Sequence, residues 1–375
     1  MIMQNQTQSR ISTNTIHRGN SELVQSKLVL PFRTEFVMTV NGKDGDTTEQ
    51  LLHDEMTSAD TYSTSRFVFA GERYYETLGK SFLKEDGCLL LLKEKARRES
   101  EVNSIQATAI SGTSLFPLRQ QGRNIGVVYE DDYARYCRLS GVIPLDLTDS
   151  REGQTRAVLE MLDWILTTNG FSFADTIRTW FYLDQLLDWY KEFNEVRTRF
   201  FASHGIFDKL VPASTGIGAA NPWGAALACD LFAIQPKISS VRIEAVPSPL
   251  QDSALKYASS FSRAVEVHMP SHRSLLISGT ASIDTEGNTQ YRDNHPLQIE
   301  RTIEVVTALL KSRKMGWGDV TRGIVYFVDT TDLETFNKVC RTYNIPSFSL
   351  AIANADICRH DLFFELEVDA IKLQE

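Results

Sequence analysis

Apolar and polar positions alternate near the end of the chain. In Phe364-Glu365-Leu366-Glu367-Val368-Asp369-Ala370 the apolar side chains fall on one face and the acidic ones on the other. A period of two predicts a β-strand. Charged side chains are mostly exposed, so the pattern alone puts Glu367 and Asp369 in water. Glu365 stays open, because Cys358, Arg359 and Phe363 crowd the sequence before it. Elsewhere the period is helical. Val158, Met161, Leu162, Ile165 and Leu166 recur with the spacing of one helix face, as do Ile299, Ile303, Val306 and Leu310. Gly170 marks the stop of the first helix. The β-branched and aromatic runs IRTWFYL (177–183) and GIVYFV (323–328) predict strands.

These elements recur as an internal repeat. Gln154 and Gln298, Asp175 and Asp319, and Tyr182 and Tyr326 share one offset of 144 residues, and the match between them has no gap. Each copy starts with an apolar strand ending in Ser-Gly, at Ser140-Gly141 and Ser278-Gly279. An amphipathic helix follows, then a strand. A second helix comes next, marked by Leu186, Trp189, Tyr190, Phe193 and Val196, or by Leu333, Phe336, Val339 and Tyr343. A closing strand ends the unit, at 225–234 and 362–371. The order β–β–α–β–α–β predicts α+β units with helices on one face of a sheet. The expected units are 130–236 and 240–375. If the closing strands are aligned at Ala233-Ile234 and Ala370-Ile371, Glu367 faces Asp230 but Glu365 faces Ala228. An acid confined to one copy is not demanded by the shared fold, which moves Glu365 towards function.

The region 27–129 reads as short strands and turns, with Phe32–Val40 and Cys88–Lys93 as its clearest apolar runs. The polar stretch 42–63 is expected to be loop with at most one helical turn. Residues 1–26 are rich in Gln, Asn, Ser and Thr and are expected to form a disordered or loosely attached arm.

Composition narrows the partners. The 375 residues are 42% hydrophobic and 23% charged, as in an ordinary globular protein. A net charge of −9 argues against nucleic acid and anionic membranes as partners. A small anionic substrate would then need a local arginine cluster. No apolar run approaches the ~18 residues of a membrane-spanning helix. Five cysteines, odd in number and widely spaced, argue against a disulfide framework and against structural zinc. The expectation is a protein of the reducing cytoplasm with no metal and no cofactor.

The second copy resembles the RidA/YjgF superfamily in FSRAV (261–265), ISGTASID (277–284), Gln298, VYFVD (325–329) and FELEVDAI (364–371). The longer chain resembles the chorismatase family within it. The carrying segments are Pro212-Ala213-Ser214-Thr215-Gly216-Ile217-Gly218, Tyr257 with Phe261-Ser262-Arg263-Ala264, Ile277 to Ser282, and Ala355-Asp356-Ile357-Cys358-Arg359-His360-Asp361-Leu362. The resemblance covers about 135–372. It implies RidA-like units around a pseudo-threefold axis, with the N-terminal region completing a pseudo-trimer, as a monomer or within a homo-oligomer. It also departs from pattern. Phe181 stands where an Asn is expected, and Phe348 where the small imine deaminases carry an arginine.

The resemblance implies cleavage of chorismate or a related enol-ether carboxylate. The products would be pyruvate and a dihydroxycyclohexadiene carboxylate or a hydroxybenzoate. Such cleavage needs a proton delivered to the enolpyruvyl methylene carbon, and a carboxylic acid with a raised pKa suits that step. The resemblance gives this role to Glu365. It makes Arg263 and Arg359 the partners of substrate carboxylates. Tyr257, Cys358, Ala281, Gly279 and Thr215 become pocket residues. Two other readings stand beside it: a RidA-like enzyme on another small carboxylic acid or imine, and a metabolite-binding or scaffold protein without catalysis.

Overall fold

The computed structural model describes residues 9–42, 45–72, 74–76, 88–94, 103–257 and 259–374. The first sheet holds β1 (Arg10–Arg18), β2 (Ser21–Val29), β3 (Thr34–Gly42), β4 (Tyr62–Ala70), β5 (Leu89–Lys93) and β6 (Asn103–Ser111), with helix α1 (Gly45–Ser58). The second holds β7 (Phe116–Gln120), β8 (Arg123–Glu130), β9 (Ala134–Val142), β10 (Thr176–Leu183), β11 (Ala213–Gly218) and β12 (Leu227–Pro236), with α2 (Arg151–Thr168) and α3 (Tyr190–Ser203). The third holds β13 (Arg242–Val246), β14 (Ala264–His268), β15 (His272–Ala281), β16 (Val320–Phe327), β17 (Ser349–Asn354) and β18 (Phe364–Leu373), with α4 (His295–Ser312) and α5 (Leu333–Thr342).

All three sheets share one strand order. The first runs β1-β2-β3-β6-β4-β5, and the other two repeat it strand for strand. The α+β class expected from the repeat, and the three-unit arrangement implied by the resemblance, are therefore what the chain forms. Each sheet buries one face against its own helices. Phe327, Phe336 and Phe364 illustrate this in the third unit, with ring centroids 5.3 to 5.9 Å apart. Burying one such ring stabilises the fold by roughly 1.5–3 kcal/mol.

The opposite faces meet in a shared core, and the units close into a ring. Strand β5 packs on β9, β11 on β15, and β17 on β3 and β6. Every fifth strand thus sits on the third strand of the next unit. Backbone bonds stitch two of these joints: Lys93 N–H to Ala220 O at 2.9 Å, and Ser262 N–H to Pro212 O at 2.9 Å. Phe69, Tyr182 and Tyr326 meet in the shared core, with Phe69 centroids 6.4 and 6.2 Å from the two tyrosines.

Four expectations need correction. Residues 10–18 and 21–29 are strands, not a loose arm. The polar β1 pairs residue by residue with β2, whose Leu23, Val24 and Leu28 are buried. Ser, Thr and Asn satisfy the wet outer edge of a sheet without apolar alternation. Residues 1–8 lie outside the described residues. The stretch called loop at 42–63 carries α1, which buries Leu51 and Leu52 on one face. The second sheet starts at Phe116, ahead of the boundary expected at 130, because β7 and β8 lie upstream of the repeat match. Finally, the unit pattern lacked β11 and β17. These short parallel edge strands are made largely of small residues and show no clear period.

Candidate active site

The joint between β11 and β15 encloses a cavity. Its wall includes Glu365 from β18 and Gly279 and Ala281 from β15. Arg263 enters from just before β14, Cys358 and Arg359 from the loop before β18, Ser214 and Gly216 from β11, and Tyr190 and Arg197 from α3. The inner chamber is small, about 50 Å³. It adjoins an outer cleft of about 740 Å³, and both share Tyr190, Ser259, Cys358 and Arg359 as wall residues.

Strand register explains why Glu365 reaches the chamber. It sits opposite Ala281 on one side and Tyr326 on the other. The β15–β18 ladder is broken between Ile277 and Thr280, so the backbone bulges at Ser278-Gly279. The Glu365 carboxylate fills the space that this bulge leaves. A Cβ on Gly279 would lie 1.9 Å from Glu365 Oε1, so any larger residue there would displace the Glu365 carboxyl. The register also bears out the alignment of the two copies. Tyr326 pairs with Glu365 as Tyr182 pairs with Ala228, and Phe69 with Ser104. The acid occurs in one of three equivalent places.

Glu365 is almost fully buried. Among the described residues, no side chain hydrogen-bonds or ion-pairs with its carboxylate. Burial, and then the charge of Glu367, push its pKa up to about 8, against the pull of Arg178 and Arg263. It is therefore an acid at neutral pH. The Cys358 thiol is pushed up to about 12, by burial first and then by Glu365. A protonated, half-buried thiol is a wall and not a nucleophile.

Three guanidiniums face the chamber. Arg263 is buried and donates through Nε to Asp252 O at 3.0 Å. Arg359 donates through Nη1 to Gly287 O at 2.7 Å. Sequence reasoning missed the third, Arg197. It is 2% exposed, donates to Asn194 Oδ1 at 2.6 Å, and no carboxylate pairs with it among the described residues. Burial pulls its pKa below the usual value. A buried cation without an anion is costly unless a ligand supplies one. The signal was present in α3, where Phe193, Val196, Arg197 and Phe200 share the buried face, so an arginine stands in an apolar stripe.

The other expected residues divide. Gly279, Ala281, Cys358, Arg263, Arg359 and Glu365 line one chamber. Thr215 lies beneath it. Its hydroxyl donates to Glu367 and accepts from Gly279 N–H at 3.0 Å and Arg178 Nη2 at 2.7 Å. Tyr257 ends a short 3-10 turn, and its side chain lies outside the described residues. Glu367 is not wet. It is fully buried, with Arg178 Nη2 and Arg322 Nη2 each at 2.8 Å and Trp180 Nε1 at 2.9 Å. Burial alone would raise its pKa, but these cations, with Thr215 and Trp180, hold it below the ordinary carboxylate range. Period-two patterning could not see this, because Arg178, Trp180 and Thr215 sit on another unit and Arg322 on a neighbouring strand distant in sequence. Asp369, nearer the strand end, pairs with Arg322 Nη1 at 3.2 Å.

Among the described residues one group, Glu244, Glu266 and His268, has the spacing of metal ligands. Arg273 and Arg313 already pair with Glu266, and none of the three lines the chamber. No described helix is long and apolar enough to cross a membrane.

No family model matches the chain. A chorismatase of Streptomyces hygroscopicus is 26% identical over 223 residues, which is 53% of this chain and 62% of that protein. The match thus spans less than two thirds of that relative's length. A 3-hydroxybenzoate synthase of the same organism is 23% identical over 301 residues, 72% of this chain and 84% of that protein. A solved chorismatase structure overlays with a TM-score of 0.62 at 18% identity, covering 83% of this chain and 91% of that one. That likeness is one of fold, and covering 83% of the chain it extends into the N-terminal unit that the motifs did not reach. The chain is thus similar in sequence to a chorismatase and a 3-hydroxybenzoate synthase, and similar in fold to a solved chorismatase.

Proposed function

We propose that the chain is a cofactor-free enzyme that cleaves chorismate, or a close enol-ether dicarboxylate, to pyruvate and a dihydroxycyclohexadiene carboxylate or hydroxybenzoate. One observation carries this reading: Glu365, protonated at neutral pH, shares a closed chamber with Arg197, Arg263 and Arg359. A scaffold has no need of a proton donor facing three guanidiniums. The relatives named above are a chorismatase and a 3-hydroxybenzoate synthase, names that agree with this substrate and one of these products.

In this reading the guanidiniums neutralise the two substrate carboxylates. Glu365 gives its proton to the enolpyruvyl methylene carbon, and an oxocarbenium ion forms at the ether carbon. Attack by water there, followed by breaking of the ether C–O bond, gives pyruvate and the dihydroxy acid. Attack by the neighbouring ring hydroxyl instead gives a cyclic ketal; loss of a ring proton with cleavage of one ring C–O bond aromatises the ring, and collapse of the remaining hemiketal releases pyruvate and the hydroxybenzoate with no net water consumed. The ionised Glu365 left behind stabilises the cation electrostatically. The reducing cytoplasm suits a chain whose five cysteines are all free thiols.

The test is incubation with chorismate, following pyruvate by a coupled lactate dehydrogenase assay. Absence of pyruvate with the wild-type protein would reject the proposal. The acid role fixes the sign of the pH dependence. Because Glu365 must be protonated, kcat/KM should be flat near neutrality and fall about tenfold per pH unit above a limb near pH 8. A rate that rises through pH 8 excludes Glu365 as the acid. Arg197→Leu should raise KM for chorismate by roughly 10–100-fold, the worth of a charge-assisted hydrogen bond, with a smaller change in kcat. An unchanged KM would remove Arg197 from substrate binding.

A further inference from the structure

Glu367 follows Glu365 by two residues, so both side chains project from the same face of β18. One chain of contacts joins them. The Thr215 hydroxyl touches the Glu367 carboxylate and accepts from the Gly279 amide, and Glu365 Oε1 lies over Gly279. Their environments differ sharply. Glu367 accepts from Arg178, Arg322, Trp180 and Thr215. Glu365 accepts from none of the described side chains. Two carboxylates sharing one low-dielectric region do not both ionise readily, and the one with more donors keeps the charge.

We propose that Glu367 is a positioning residue of the reaction: a fixed buried anion that sends the proton of the glutamate pair to Glu365 and keeps it there. This deepens the reading of Glu365 as the acid and rests on it. The cations holding Glu367 come from two units, Arg178 on β10 of the second and Arg322 on β16 of the third. Docking of β11 and β10 against the third unit therefore sets the charge state of the acid. Glu365 also faces Arg178, Arg263, Cys358 and Tyr190, with Arg197 and Arg359 on the same chamber wall and Tyr326 opposite on β16. Glu367 faces Arg178, Arg322, Tyr182 and Tyr326, with Asp369 beyond Arg322. The pull of the cations on Glu365 is thus balanced chiefly by Glu367. Glu367 is the largest influence after burial in keeping the acid protonated.

The consequence is a pair of opposite shifts. Glu367→Gln removes the anion and leaves both guanidiniums, so the alkaline limb of kcat/KM should move down by at least about one pH unit. For a shift of about one unit, that is a loss of about fivefold near pH 8 and about tenfold above pH 9, beyond any change at the plateau. Arg322→Gln removes one neutralising cation, so the limb should move up. The double variant Glu367→Gln/Arg322→Gln, which removes one charge of each sign, should fall between the single variants. A cluster with only a structural role would lower the plateau and leave the limb in place, and that result overturns the proposal. If Glu367→Gln does not fold, the upward shift of Arg322→Gln decides alone. A second readout needs no substrate: infrared difference titration of the protonated carboxyl band of Glu365, assigned by its absence in Glu365→Gln. This band should titrate near pH 8 in the wild type and shift in the same directions in the variants. Failure of the chorismatase reading would show as missing pyruvate with the band shifts intact. Failure of this inference would show as an unmoved band.

Discussion

Glu365→Gln should lower kcat for pyruvate release by roughly 10²–10⁴-fold and make the protein more stable at the same time. The first effect is the usual contribution of a positioned general acid, since glutamine matches the shape but cannot deliver the proton. The second follows from linkage. The folded-state pKa of Glu365 is raised to about 8, well above that of an unfolded glutamate. The folded protein therefore binds the extra proton more tightly than the unfolded chain does. That stabilisation is complete below the unfolded pKa and is lost as pH rises towards and through about 8. Above that pH the wild type carries a buried charge without a hydrogen-bond partner, at a cost on the order of 4 kcal/mol. Glutamine carries none. Thermal unfolding of both proteins near pH 6 and near pH 9 should show the variant's advantage growing at the higher pH. Equal rates of pyruvate release in wild type and variant would end the assignment of Glu365. A variant that loses stability as pH rises, relative to wild type, would end the account of its burial.

Glu367→Ala should be the most damaging single change to stability, about 3–5 kcal/mol. It leaves Arg178 in a dry site without its anion, and Arg322 with Asp369 alone. The equivalent residue of the second unit provides the control. Asp230 pairs with Trp180 in the register where Glu367 pairs with Ile324. Yet among the described residues its hydrogen-bond donors are neutral: Gly141 N–H at 2.7 Å and the Ser65 hydroxyl at 3.2 Å. Burial pushes its pKa up to about 6. Asp230→Asn should therefore cost no more than about 1 kcal/mol. Chemical denaturation of the two variants separates the cases. Equal losses would mean that the charge on Glu367 contributes little and that packing alone holds the joint.

The sequence was most informative where a signal is local or repeated. The offset shared by Gln154, Asp175 and Tyr182 with Gln298, Asp319 and Tyr326 exposed two units, and the contrast between Ala228 and Glu365 pointed to the one odd acid. What stayed hidden depended on partners from elsewhere in the chain. Glu367 reads as a wet strand residue until Arg178, Trp180 and Thr215 of another unit are placed on it. Arg197 reads as an ordinary helix arginine until the helix face is seen to be buried. The first unit escaped detection for a different reason. Its β1 is almost wholly polar, and α1 lies in a stretch whose composition suggests loop. It also carries Gln106 at the Glu367 position, opposite Phe67, so even the polar clamp changed its chemistry. Gln106 donates instead to Gly323 O at 2.9 Å.

Three side chains meet on the pseudo-threefold axis: Phe69, Tyr182 and Tyr326. The two tyrosine hydroxyls lie 3.4 Å apart, one donating to the other. Phe69 brings no hydroxyl to that point. An assembly of identical subunits must place the same residue three times on its axis, so it would carry three hydroxyls or none. A continuous chain is free of that parity. It can set two polar groups against each other and close the remaining side with a ring that asks for no partner. The same freedom lets one joint of the ring carry an acid, Glu365, where the equivalent places hold Ala228 and Ser104. Fusion of the units thus separates symmetry of backbone from identity of side chains.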